Sequence, residues 1–472
     1  MKKQTLLAIT MVTIGSLFFA SCEKEQPPTD NTPKNELVEL TGDLKSQKLT
    51  KDKKYLIKSQ TFIRKDVVVE VEPGTVIYGE KRTRGTLIVD RGGKLIARGT
   101  ANEPIVFTSN QEVGDRDRGD WGGLVILGNA ACNQVDPGVE GITPAVYFGG
   151  NSANVESSNV INNNDNSGEF IYVRVEFAGI ELTPNNETNS ITMGGVGAGT
   201  KMEYCQVSFG GDDGFEWFGG NVDGKYFISF NSWDDCYDVD FGYSGKVQFG
   251  LAVRYPSYAD QSGSNSFECD NGPNDNDVMP YTTGTFSNFT CVGPIKSGTS
   301  VSNGNFQHSI DLRRRTAVTI ANSVFTGFPR GVRMNQASVL SNYNTNVGHL
   351  SNNVLVGTAN ATIYQAGSGV DVNAVKTYWE ANNQTISGPN SDSLTKVLGL
   401  NPSIFYASGK LASEYTGAAN FPVTSGILTS GAAFTKGTLT NAHFDKVSFR
   451  GAFGATNWTS GWAEFDPKNK AY

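Results

Sequence analysis

GDDGFEWFGGNVDGKYFISFNSWDDCYDVDFG, running from Gly211 to Gly242, states one phrase twice: two aspartates, a spacer, an aromatic residue, then an acid. Asp212 and Asp213 return as Asp234 and Asp235, 22 residues on, and the steps Phe215–Glu216 and Tyr237–Asp238 keep the same offset. A phrase that returns at this interval marks stacked coils of a solenoid, each contributing short strands to a shared core. Side chains alternate along a strand. Phe215, Trp217, Tyr237 and Val239 are therefore expected inside, with Glu216, Phe218, Asp238 and Asp240 outside.

The rhythm extends both ways. Towards the N-terminus, "VEVEPGTVIYGE" is echoed by "LIVDRGGKLIARGT", with Gly74 and Gly93 opening similar turn-then-strand units. Towards the C-terminus come "KVQFGLAVRY", "FECDN", "TGTFSNFTCVG", "TAVTIANSVFTGF" and "GHLSNNVLVGT". A β-sandwich would show tight hairpin turns and no persistent phrase. The fold class expected is all-β, a right-handed parallel β-helix. Ala131–Gly168 and Pro256–Gly284 break the rhythm as polar insertions, which on a repeat scaffold form loops, often on a binding face.

Four regions follow. Residues 1–22, a basic start and an apolar run ending in "FFASC", read as a lipoprotein signal with Cys22 as the lipidated residue. Residues 23–36, charged and Pro-rich, read as a tether. Residues 37–370 form the β-helix, with "ELVELTGDLKSQKLTKDKKYLIKSQ" closing its first end. Residues 371–472 are expected to cap the second, beginning with a helix N-capped by Asp371 that turns Val375 and Trp379 inward.

A net charge of −8 with no basic block argues against nucleic acid as a partner. Three histidines leave little for an imidazole metal site. Cys132, Cys205, Cys236, Cys269 and Cys291 contain no CxxC pair, so a zinc cluster is unsupported, and they read mainly as small core residues.

Glu72–Ser109, with "RGDWGGLVILGNA" at Arg118–Ala130 and "FRGAFGATNWTSGWAEFDPKN" at Phe449–Asn469, resembles right-handed β-helix lipoproteins of Bacteroidetes-type bacteria. The resemblance implies an outer-membrane lipoprotein facing the cell surface or periplasm. It implies no established activity. "DSL" at Asp392–Leu394 resembles the O-glycosylation acceptor of these bacteria, with Ser393 as the acceptor.

The chemistry lies in the outward row. Glu216, Asp238 and Glu268 fall at equivalent positions of three coils, with Asp240 and Asp270 beside them. Carboxylates one strand apart repel and raise one another's pKa. Arginines such as Arg313 and Arg333 can neutralise the row, or Ca²⁺ can, held by Glu216, Asp238, Asp240 and Glu268. The leading reading is a binding or structural module for glycans, or one that works with an outer-membrane transporter, with Phe218 and Trp233 stacking on sugars. A Ca²⁺-dependent lyase or a glycoside hydrolase is the alternative, its candidates Asp238, Glu268 and Arg333. An adhesin-like structural protein is the third. The Asn-Thr-Asp and Gly-His-Gly phrases of polygalacturonases are missing, and the Asp pairs read as turn chemistry.

Overall fold

The computed structural model describes residues 37–135, 137–139, 141–150, 161–183, 186–295, 303–357, 362–387, 397–401 and 420–472. Cys22, the tether and Ser393 lie outside them. Among these residues no helix is long and apolar enough to cross a membrane.

Short parallel strands stack coil on coil into one continuous sheet, the all-β solenoid expected from the repeat. One face stacks Thr86–Val89, Leu124–Leu127, Ile191–Gly194, Phe215–Phe218, Tyr237–Asp240, Phe267–Cys269, His308–Leu312, Arg330–Met334 and Tyr364–Ala366, in that order. Phe215 pairs with Tyr237, and Tyr237 with Phe267, so the 22-residue recurrence is one coil. The next coils are longer because the polar insertions are looped out between strands. The echo between Gly74 and Gly93 has another origin: Val76–Gly79 stacks on Lys54–Ile63, whereas Lys94–Arg98 stacks on Val68–Val71. Those two units occupy different faces of the coil.

The inward residues make the core. Phe215, Trp217, Tyr237, Val239, Phe267 and Cys269 are 0–1% exposed. Burying such a side chain contributes roughly 1.5–3 kcal/mol. The Phe215 ring stacks on Phe227 at 4.9 Å, across the interior of the coil.

At one of the turns from face to face, four successive coils each place a left-handed aromatic residue. Tyr172, Tyr204, Tyr226 and Phe249 have φ of 52°, 55°, 63° and 64° at equivalent positions of four coils. Left-handed backbone costs an L-residue about 1–2 kcal/mol. Stacking offsets it, since the successive rings lie 4.3, 4.4 and 5.0 Å apart, and such pairs contribute about 0.5–1.5 kcal/mol each.

This aromatic column is covered by the C-terminal segment, and here the structure departs from the expected end cap. The helix Val372–Asn382 does close the last coils, with Asp371 accepting from the Asn373 N–H and Val375 and Trp379 buried. The stack nevertheless continues beyond residue 370, because Gln384–Ser387 pairs with Val354–Gly357. Residues 420–472 are a strap, running back along the coils. Buried amides clamp its backbone from below: Asn322 bonds both ways to Ala433, Gln248 to Asp445, and Gln206 to Glu464. Each amide nitrogen donates to the C=O, and each amide oxygen accepts from the N–H, of one strap residue. Trp462 then packs edge-on against Tyr172 and Tyr204, both at 5.9 Å, and the Tyr472 hydroxyl donates to buried Glu176 at 2.7 Å. At the opposite end, Leu37–Asp43 closes the stack by pairing with Lys54–Ile63 as a further strand.

Candidate functional site

Each coil enters the site face through a turn that places a side-chain acceptor three residues before the outward position. The pairs are Asn189 and Thr192, Asp213 and Glu216, Asp235 and Asp238, Asn265 and Glu268. These acceptors form a ladder along the stack. Asn189 Oδ1 accepts the Asp213 N–H at 3.3 Å, Asp213 Oδ1 accepts the Asp235 N–H at 2.7 Å, Asp235 Oδ1 accepts the Asn265 N–H, and Asn265 Oδ1 accepts the His308 N–H at 2.9 Å. Buried backbone donors need such partners. Asparagine does this at both outer rungs. The ladder therefore accounts for an acceptor at 213 and 235, and leaves their charge unexplained.

The outward row is in register over seven coils: Thr192, Glu216, Asp238, Glu268, Asp311, Arg333 and Gln365. Its C-terminal half is neutralised. Arg313 pairs with Glu268 and with Asp270 at 2.5 Å, Arg314 reaches Asp270 at 3.1 Å, and Arg333 Nε donates to Asp311 at 2.7 Å. Burial opposes the Arg313 charge, but Asp270 and Glu268 hold its pKa above the ordinary value.

The N-terminal half has no such balance. Asp212, Asp213, Glu216, Asp234, Asp235 and Asp238 form no ion pair among the described residues. Their oxygens gather in overlapping triads, each within 4.8 Å: Asp212, Asp213 and Asp234; Asp213, Glu216 and Asp238; Asp235, Asp238 and Glu268. Some oxygens have donors, as Asp234 has Ser262 Oγ at 2.5 Å, Glu268 has Asn265 Nδ2 at 3.1 Å and Glu216 has Asn189 Nδ2. Asp234 Oδ1 and Asp238 Oδ1 are enclosed and accept no hydrogen bond. Burial first, and then the neighbouring carboxylates, lift Asp212, Asp213, Glu216 and Asp235 well above the usual carboxylate range. Burial and the Asp270 charge push Asp238 up to about 7, against the pull of Arg313. Bound protons or a cation would each relieve this repulsion.

Two cavities meet over it. The larger, about 480 Å³, is lined by Arg118, Glu187, Asp212, Trp233, Asp234 and Asp260. The smaller, about 270 Å³, is lined by Val139, Phe148, Thr192, Glu216, Phe218 and Phe241. Glu187 and Asp212 border both. The Arg118 guanidinium lies 3.3 Å from the Trp233 ring centroid, while Trp233 Nε1 donates to Asp260 at 2.8 Å. Burial lowers the Arg118 pKa.

Of the residues singled out from the sequence, Glu216, Asp238 and Glu268 stand together in the row. Asp240 lies opposite Phe218 in register and is buried, outside all three triads. Asp270 is buried beneath its arginines, and Arg333 sits with Asp311, beyond Glu268. Phe218 forms a cavity wall with Phe148 and Phe241, at ring distances of 5.8 and 5.0 Å. Trp233 offers its face to Arg118. His308 is structural, bonded to Asn265 and Gln365, and burial holds it down at about 4. Asp212, Asp213, Asp234 and Asp235, read from the sequence as turn chemistry, are central to the cluster. Their signal was the acceptor-to-outward spacing of three, repeated in successive coils. Arg118 and Glu187 come from distant parts of the chain and carried no signal, whereas Asp260 belongs to the Pro256–Gly284 insertion expected to form a loop.

Clustered acids of this kind are able to bind a metal ion. Residues 42–396 match the family model described as a pectate-lyase like beta helix domain. No curated protein and no solved structure matches the chain.

Proposed function

The chain belongs to the pectate-lyase-like β-helix family, and from that premise we propose that it is a glycan-binding module whose acidic cluster holds Ca²⁺ at the junction of the two cavities. The observation that carries this reading is the pair of enclosed, unbonded oxygens, Asp234 Oδ1 and Asp238 Oδ1, inside a group of six unbalanced carboxylates. Ca²⁺ takes about 6–8 oxygen ligands at roughly 2.3–2.6 Å in irregular geometry, which an all-carboxylate set on stacked strands can supply. Asp213, Glu216 and Asp238, which form one triad, would be its principal ligands, with Asp213 also joining them to Asp234. The bound ion would neutralise the cluster and attract acidic or hydroxyl oxygens of a sugar.

Migration of the native protein through gels containing polygalacturonate, alginate or a neutral xyloglucan tests this reading. Retardation by at least one glycan in the presence of CaCl₂, abolished by a chelator and by Asp238→Asn, is expected. Equal mobility in every gel would remove the proposal.

A second reading, cleavage of an acidic glycan by elimination, is favoured by one feature. Arg118 is the one cationic side chain among the described residues lining the larger cavity, and its lowered pKa suits removal of a proton. Ultraviolet absorbance of an unsaturated product distinguishes cleavage from binding.

The N-terminal sequence supports anchoring. Lipid on Cys22 and the tether 23–36 would hold the module at the outer membrane, at the cell surface or on the periplasmic side, where a glycan binder would serve an outer-membrane transporter.

A further inference from the structure

We infer that the groove receives the end of a glycan chain and excludes its interior; the inference rests on the glycan reading above. The outward row does not begin at Thr192. Val125, Ile88 and Phe62 precede it in register, and all three are apolar. They are covered by residues 137–139 and 141–148, paired through a Gly138–Tyr147 bridge and bonds from the Val139 N–H to Val146 O at 3.1 Å and from the Phe148 N–H to Pro137 O at 3.0 Å.

This hairpin is part of the core. Ile142, Val146 and Phe148 are 1–5% exposed and join Phe62, Ile88 and Val125 in one apolar cluster. Gln60 fixes its tip, donating to Gly141 O at 2.8 Å and accepting the Thr143 N–H at 2.6 Å. The hairpin therefore stands as a fixed wall across the row.

The smaller cavity lies against that wall. Val139 and Phe148 close one side, the Phe218 and Phe241 rings another, and Thr192 and Glu216 line it beside the acid cluster. Its volume of about 270 Å³ is slightly below the roughly 300–1,000 Å³ of small-molecule sites. Its continuation is into the larger cavity, across Glu187 and Asp212. A chain entering from there, or along the row from Asp238, brings its terminal unit into the small cavity and meets apolar side chains. An internal unit in the same place would have its onward chain blocked along the row by the hairpin.

The test titrates the wild-type protein, in CaCl₂, against equal masses of polygalacturonate, alginate and xyloglucan, intact and partially digested to known numbers of ends. For whichever glycan is bound, saturation in proportion to the number of chain ends is expected. Saturation set by total mass, whatever the digestion, overturns end recognition while leaving the glycan reading standing. Binding of none of the three, intact or digested, overturns both. Val139→Trp fills the end cavity and leaves every carboxylate in the sequence; it is expected to weaken glycan binding at least tenfold while keeping the Ca²⁺-induced rise in melting temperature. Unchanged glycan affinity in that variant also overturns the inference.

Discussion

Asp213 Oδ1 accepts the backbone N–H of Asp235 at 2.7 Å, tying one coil to the next. Asn189 and Asn265 perform the same service on either side with a neutral amide. Asp213→Asn and Asp235→Asn are therefore expected to keep the ladder and remove only charge. In a chelator each variant should melt at or above the wild-type temperature, since a buried repulsion is relieved. With CaCl₂ the wild type should gain stability, by about 2.7 kcal/mol at a concentration one hundred times Kd, and each variant should gain less. Thermal denaturation with and without the ion reads both effects.

The cluster also sets a pH dependence. Its carboxylates are raised in the folded state, so between their ordinary values and the folded ones the native protein holds protons that the unfolded chain has released. The cluster's contribution to the stability of the cation-free protein is then greatest at acid pH and falls as pH rises; for Asp238 the window runs from 3.8 to about 7. Denaturant unfolding in a chelator across this range should show the decline, and saturating CaCl₂ should reduce it.

Arg313 holds the other half of the row. Arg313→Ala leaves Glu268 and Asp270 enclosed without their shared partner, and breaking a buried pair in this way costs about 3–5 kcal/mol. Equilibrium unfolding measures the loss. Arg82→Ala, whose side chain is 77% exposed and 3.6 Å from Glu80, should cost less than about 1 kcal/mol.

The strap is a structural part of the stack. Trp462→Ala opens a cavity above Tyr172 and Tyr204, and truncating a buried tryptophan costs about 3–5 kcal/mol. The melting temperature should fall accordingly, with the far-ultraviolet spectrum at low temperature retained.

Anchoring has its own readout. Cys22→Ser should abolish incorporation of labelled palmitate and move the protein from the membrane fraction to the soluble one. Retention of label by the variant contradicts lipidation at this residue.

Much of the fold was legible in the sequence because strand alternation and coil stacking both leave periodic marks. Trp217 and Val239 as stacked core positions, and Glu216, Asp238 and Glu268 as one outward row, follow from a period of two within each coil and 22 residues between the first two. The strap was not legible. Its contacts are single amides, Gln206, Gln248 and Asn322, each meeting a peptide more than 100 residues away, and no local pattern records such a partner. The Asp pairs were legible only as turns, because the distinction between an acceptor and a charge appears once the neighbouring rungs are seen to be asparagines. The hairpin over Val125 was hidden by the polar composition of its insertion, in which Ile142, Val146 and Phe148 are isolated apolar residues.

Calorimetric titration of Ca²⁺ into the chelator-stripped protein at neutral pH tests the cation site itself. Saturable binding is expected, lost in Asp238→Asn and retained in Arg333→Gln, whose side chain belongs to the half of the row already neutralised. Absence of saturable binding to the wild type, or equal affinity in Asp238→Asn, would contradict it.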